Sequence, residues 1–219
     1  MLVIPVFPLP NLVFFPKTLL PLQIFEPRYK EMLRYALTTG RLIGMILLRP
    51  GWEPKYYGNP EAYEIGCLGR IQHVEEAEDQ RSNILLLGIS KFRIIAYQQM
   101  EPFRIAEVML MDDEPVDEQA AEILEAKRQL LEGHSKLIAR LPGNESLDLS
   151  GLTNLSYEAM VNNLTMSVGL EVTIKQKLLE QNQLVERGRS LAKQIELLLD
   201  GLTFFERYRH LSGADPSRN

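Results

Sequence analysis

The sequence predicts an α+β chain, with a β-rich first part carrying one helix and a helical bundle after it. Three observations predict this. Between residues 42 and 111 the apolar residues come in short runs or alternate with polar ones, the period of strands. An acidic run, DDEPVDE at 112–118, then breaks the pattern. Beyond it the apolar residues return at helical spacing. We therefore divide the chain into a β-rich part at 1–115, a helical part at 116–211 and a disordered tail at 212–219. Each part is small for an independent core, so the two are expected to share an interface.

Taken in order, residues 3–7 are an apolar strand that Pro5 and Pro8 assign to an edge, because proline cannot donate to a ladder. A loop punctuated by Pro10, Pro16 and Pro21 runs on to Pro27. Pro27 and Gly40 then bracket a helix whose apolar face is Tyr29, Met32, Leu33, Ala36 and Leu37. LIGMILL (42–48) reads as a buried strand and GWEPKYYGNPEA (51–62) as a loop. YEIGCLGRIQHV (63–74) alternates, EEAEDQRSN (75–83) turns, and ILLLGISKFRIIAY (84–97) returns as a central strand. FRIAEVMLM (103–111) is the last strand. The acidic run reads as a solvated linker leading to a helix N-terminus.

The stripe from Ala120 through Ile123, Leu130 and Leu137 to Leu141 predicts a helix over 118–141, with a bend allowed at Gly133. Ser156 caps a second helix that stops at Gly169. A third covers about 171–181. A last one carries Leu184, Gly188, Leu191, Ile195 and Leu198 as a packing seam and stops at Gly201.

The composition narrows the function. A net charge of −5 disfavours phosphate backbones unless a basic patch exists. The single cysteine, Cys67, excludes an internal disulfide or a multi-cysteine metal site, and in a strand it is an inert core thiol. The apolar start lacks a basic residue before Lys17 and is broken by five prolines, so neither a leader nor a membrane span is expected, and the location expected is the cytoplasm. No Gly-Lys pair exists for a phosphate-binding loop. Ser90-Lys91 and Ser135-Lys136 are adjacent in sequence, point apart, and are treated as incidental. His73, His134 and His210 have no helical partner, which gives no metal site, and His134 on its apolar stripe reads as a half-buried histidine bonded to a neighbour. No catalytic residue and no cofactor are assigned.

Residues 4–33 carry a dense ordered pattern: Phe7-Pro8-Leu9, Phe15-Pro16, Pro21-Leu22, and Ile24-Phe25-Glu26-Pro27-Arg28-Tyr29. Later come Tyr63-Glu64-Ile65-Gly66, Gly69-Arg70-Ile71, Phe92-Arg93-Ile94 and Ala106-Glu107-Val108. Together these resemble the N-terminal, substrate-binding domain family of Lon proteases over residues 4 to about 200. There are departures: Asp79-Gln80-Arg81 where the family often has Asp-Gly-Arg, Pro-Phe at 102–103, and Gly188 where a larger residue is usual. The resemblance implies a PUA-like twisted β pseudo-barrel with one inserted helix and a C-terminal helical bundle. It also implies a non-enzymatic module that holds polypeptide substrates, here without the ATPase and peptidase of the protease. Unfolded or client polypeptides are the expected partners, with a protease or chaperone system behind them.

The signature residues Phe15, Pro16, Glu26, Pro27, Arg28 and Tyr29 are assigned structural roles, Glu26 at the helix N-terminus and Arg28 pinning a loop through a carboxylate or carbonyl. Phe14, Trp52, Tyr56 and Tyr57 are the candidates for peptide contacts, because loop aromatics bury much area at low entropy cost; packing into the barrel mouth is the alternative role for such residues. Two other roles are weighed below this one: assembly through the helical seam, and RNA binding, for which FFERYRH (204–210) is the one short basic and aromatic segment. The oligomeric state is left open.

Overall fold

A computed structural model describes residues 1–76, 81–140 and 150–211, with side chains to Phe204. The hairpin turn at Asp79-Gln80, Leu141, the tail from 212 and the side chains of 150 and 205–211 lie outside the described residues.

The β part consists of β1 (Leu2–Leu9), β2 (Leu19–Ile24), helix α1 (Pro27–Thr38), β3 (Leu42–Leu47), β4 (Ile65–Glu76), β5 (Ser82–Gln99) and β6 (Arg104–Met111). The strand order is β2-β5-β4-β3-β1-β6, and β6 also pairs with β5, so the sheet closes on itself with β2 outside the ring. Closure depends on the 18 residues of β5. Its first half pairs with β2 and β4, and its second half with β6. Register shifts at Leu68/Gly69, Ile71/His73, Ile94/Ala96 and Tyr97/Gln99 supply the bends.

Two strand expectations need correction. β1 is an interior strand, parallel to β3 and antiparallel to β6, not an edge. Its prolines fit because of their offset. Leu9 gives its carbonyl to Leu48 on the β3 side. By alternation the Pro5 nitrogen faces β3, where that ladder begins only at Val6, and the Pro8 nitrogen faces β6, whose ladder has ended at Val6. The stretch expected to be a loop up to Pro27 contains β2, which does occupy an edge and so tolerates Pro21.

The helical part holds α2 (Ala121–Ile138), α3 (Ser150–Thr153), α4 (Tyr157–Ser167), α5 (Val172–Glu180) and α6 (Leu184–Leu211). Ser156 caps α4, accepting from the Ala159 amide at 3.3 Å. Gly133 lies inside a continuous α2, and a Cβ there would meet Ile195 of α6 at 3.1 Å, so the glycine serves a close helix crossing. Gly201 does not end the last helix, which continues through it to Leu211. Leu184, Leu191 and Ile195 are buried in the same cluster as Ile123, Leu130 and Leu164, so the seam packs within the chain.

That cluster also takes in Val13, Phe15, Leu47 and Ile65 from the β part, the shared interface expected above. Phe15-Pro16 is its hinge point. The loop presses on β5 so closely that a Cβ at Gly88 would stand 2.1 Å from the Phe15 carbonyl oxygen. Asn162 of α4 donates to the Pro16 carbonyl at 3.0 Å, and Lys17 pairs with Glu158 at 2.5 Å. A buried ionic cluster lies on the same interface. Asp113 accepts both terminal nitrogens of Arg187, at 2.7 and 2.6 Å, and Lys91 Nζ at 2.5 Å. Lys91 further donates to the Gln181 carbonyl and Asn182 Oδ1, each at 3.0 Å.

The acidic run is therefore not simply a solvated linker, because Asp113 is sealed between two cations. Lys91 has a structural part in this cluster, and burial holds its pKa below the ordinary lysine value even with Asp113 beside it. Glu118 accepts the Tyr157 amide at 2.8 Å, placing its charge at the start of α4.

Candidate functional site: an aromatic loop clamped over a cleft

The site begins at the N-terminus of α1. Pro27 occupies its first turn and Glu26 its cap position, with no side-chain cap bond, so the Glu26 carboxylate is free for other partners. Arg28 Nε donates to Glu26 Oε2 at 3.0 Å, and the Tyr56 hydroxyl donates to Glu26 Oε1 at 3.0 Å. Arg28 Nη1 reaches the Tyr56 carbonyl at 3.4 Å. The guanidinium also lies over two rings, 4.5 Å from the Tyr29 centroid and 5.3 Å from that of Tyr56. One carboxylate and one guanidinium thus tie the 51–62 loop to the helix end.

The clamp sets the electrostatics. Burial raises the Tyr29 phenol to about 12, with Arg28 opposing and Glu26 adding to the shift. The Tyr56 phenol is raised as well, first by burial and then by its bond to Glu26, so it remains a donor at neutral pH.

On this mount the aromatics form a short edge-to-face series. Trp52 and Tyr56 have centroids 5.4 Å apart, and Tyr56 and Tyr57 5.2 Å apart. Trp52 and Tyr56 are half-buried, while Tyr57 is 90% exposed. Beside them opens a cleft of about 220 Å³, lined by Tyr56, Tyr57, Arg28, Glu101, Phe103 and Arg104 among others. Tyr63, at the end of the loop, is half-buried with Arg49 4.8 Å over its ring.

The fold brings Trp52, Tyr56 and Tyr57 together with Glu26, Pro27, Arg28 and Tyr29. It separates Phe14 from them. Phe14 is 1% exposed, packed in the barrel core with its ring at Gly69 and Leu86, and cannot touch a partner. Its loop turns inward because Phe14 and Phe15 serve two cores on opposite sides of the chain. Arg104 was overlooked in the sequence. The signal was available: in a strand, Arg104 shares a face with Ala106 and Val108, both fully buried, and a charge on an apolar face asks for a reason.

Cys67 is buried and burial pushes its thiol well up, as for an unreactive core residue. His134 is buried deeper than half, 3.4 Å from the Ser167 hydroxyl through Nε2. Among the described residues no group of His, Cys, Asp or Glu is arranged to hold a metal, and no helix is long and apolar enough to cross a membrane.

A Lon protease of Flavobacterium johnsoniae is 24% identical over 202 residues, covering 91% of this chain and 24% of that protein. One of Dictyoglomus thermophilum is 25% identical over 202 residues, covering 90% and 25%. The chain thus spans about a quarter of the length of the curated relatives it matches. The fold is that of a Lon N-terminal domain protein from Xanthomonas campestris, with a TM-score of 0.64, 20% identity and coverage of 87% and 97%. The N-terminal domain of a Mycobacterium avium complex Lon protease gives 0.65 at 17% identity, covering 89% and 98%. The family profile described as the ATP-dependent protease La (LON) substrate-binding domain matches residues 3–197, and the chain belongs to that family.

Proposed function

We propose that this domain binds polypeptide segments through the Trp52-Tyr56-Tyr57 loop and the adjoining cleft, as an adaptor or chaperone-like holder in the cytoplasm, and that it catalyses no reaction. Membership in a substrate-binding family supports the binding role. The observation that carries the site is Tyr57, an almost fully exposed ring set on a half-buried pair that the Glu26–Arg28 clamp holds still. A rigid exposed aromatic beside a cleft can take an apolar side chain of an extended segment with little ordering cost. The clients are exposed apolar stretches of unfolded proteins, passed on to a protease or chaperone system.

The test is fluorescence anisotropy with labelled unfolded polypeptides and a broad peptide panel, on the unaltered protein and on Tyr57→Ala. We expect saturable binding that Tyr57→Ala weakens roughly tenfold, the scale of an interface anchor. Folded protein that binds none of the panel, or that binds equally well without Tyr57, rejects the proposal.

A further inference from the structure

Arg104 opens β6, and its side chain is only 4% exposed. Its single hydrogen bond among the described residues runs from Nη2 to the Pro60 carbonyl at 2.6 Å. Its guanidinium carbon also lies 5.7 Å from the centroid of the Tyr97 ring. No carboxylate of the described residues lies within ion-pair reach of it, whereas the other two deeply buried cations, Lys91 and Arg187, both hold Asp113. A buried guanidinium without a counter-charge is costly, and such groups are kept where something pairs with them.

Arg104 lines the cleft below Tyr57. Its remaining N–H groups are not sealed in, because the fully enclosed polar atoms without a partner belong to His134, Tyr157, Gln176, Gln181 and Arg187. The other charged groups in the cleft are already engaged: Arg28 by Glu26, and Glu101 by the Asn59 amide at 3.3 Å on the exposed rim. Leu48, Tyr56, Tyr57, Pro102 and Phe103 give the cleft apolar and aromatic wall beside its polar residues Arg28, Asn59 and Glu101.

Given the polypeptide reading above, on which this inference rests, the geometry points to a cleft that reads a peptide carboxylate through Arg104, with the residue bearing it or a neighbour packed among the aromatics. A guanidinium suits this ligand because its fork can donate two parallel bonds to a carboxylate. The carboxylate can come from a chain terminus or from an Asp or Glu side chain. The binding chemistry is the same for both, and the choice of peptides separates them.

Four labelled peptides of one aromatic-rich sequence are compared by anisotropy on the unaltered protein. The first has a free C-terminus, the second a C-terminal amide, the third an amide plus one internal Asp beside a Phe, and the fourth an amide plus Asn at that position. A hydrogen-bonded charge predicts that the first or the third binds roughly tenfold or more tightly than its neutral counterpart. Preference for the first assigns the terminal carboxylate, and preference for the third the side chain. Arg104→Gln, checked for folding by circular dichroism, should erase that preference, so that charged and neutral peptides bind alike.

Binding of all four peptides with equal affinity overturns this inference and leaves the polypeptide reading standing. Binding of none overturns both. The peptide comparison needs no variant, so equal affinities overturn the inference even if Arg104→Gln fails to fold. A folded Arg104→Gln that keeps the preference places the carboxylate elsewhere and also overturns the assignment.

Discussion

Arg187 grips Asp113 with both terminal nitrogens, and both side chains are buried. The two belong to different parts of the fold, Arg187 to the last helix and Asp113 to the segment just after β6. Their pair, with Lys91 of β5 as third member, locks the barrel to the bundle. Asp113→Asn removes the only carboxylate among the described residues that is bonded to either cation, and leaves two buried charges uncompensated. It should cost about 3–5 kcal/mol in urea unfolding. Lys91→Met leaves the Arg187–Asp113 pair intact, and its cost should be markedly smaller. Equal losses from the two variants would contradict this account.

Gly188 faces the phenol of Tyr157, and a Cβ there would stand 1.9 Å from the hydroxyl oxygen. That oxygen is buried without a partner among the described residues. Gly188→Ala should destabilise by about 1–3 kcal/mol through overpacking, despite alanine's better helix propensity. Tyr157→Phe removes the clashing oxygen and an unpaired polar atom at once. In the double variant a large part of the loss should return, measured as a coupling energy in a double-mutant cycle.

His134 is kept neutral by burial, which lowers its pKa from the ordinary 6.5. The unfolded chain therefore takes up a proton at this site before the folded one does. Stability should be constant above about pH 6.5 and fall as pH drops below it toward the folded value. His134→Gln should remove this component of the slope. Parallel stability curves for the two proteins between pH 7 and 5 would refute it.

Trp52 is the sole tryptophan and reports on the clamped loop. Glu26→Gln replaces the carboxylate that holds both Arg28 and the Tyr56 hydroxyl. We expect Trp52 emission to shift to the red and peptide affinity to fall, with the loss of loop anchoring worth about 1–2 kcal/mol. Unchanged emission would mean that the loop is held by other contacts.

The sequence determined the element types, because period and punctuation are local properties. Ser156 at its cap, the stripe of α2 and the alternation of β4 are each written in consecutive residues. It also determined family membership, through the ordered Phe-Pro and Glu-Pro-Arg-Tyr elements, and it singled out Trp52, Tyr56 and Tyr57 by their loop composition. Whether a neighbour sits beside a strand or a side chain is not local, and there tertiary structure decided. Pro5 and Pro8 are admitted into an interior strand by the offset of two ladders, and Phe14 and Phe15, adjacent in the chain, go to different cores. Asp113 is buried because residues 91 and 187 converge on it across the interface between the two parts. Arg104 faces the cleft unpaired because the 51–62 loop brings it a carbonyl from Pro60, and none of the described carboxylates comes within ion-pair reach. Burial and charge pairing are sums over residues distant in sequence, so only the folded chain sets them.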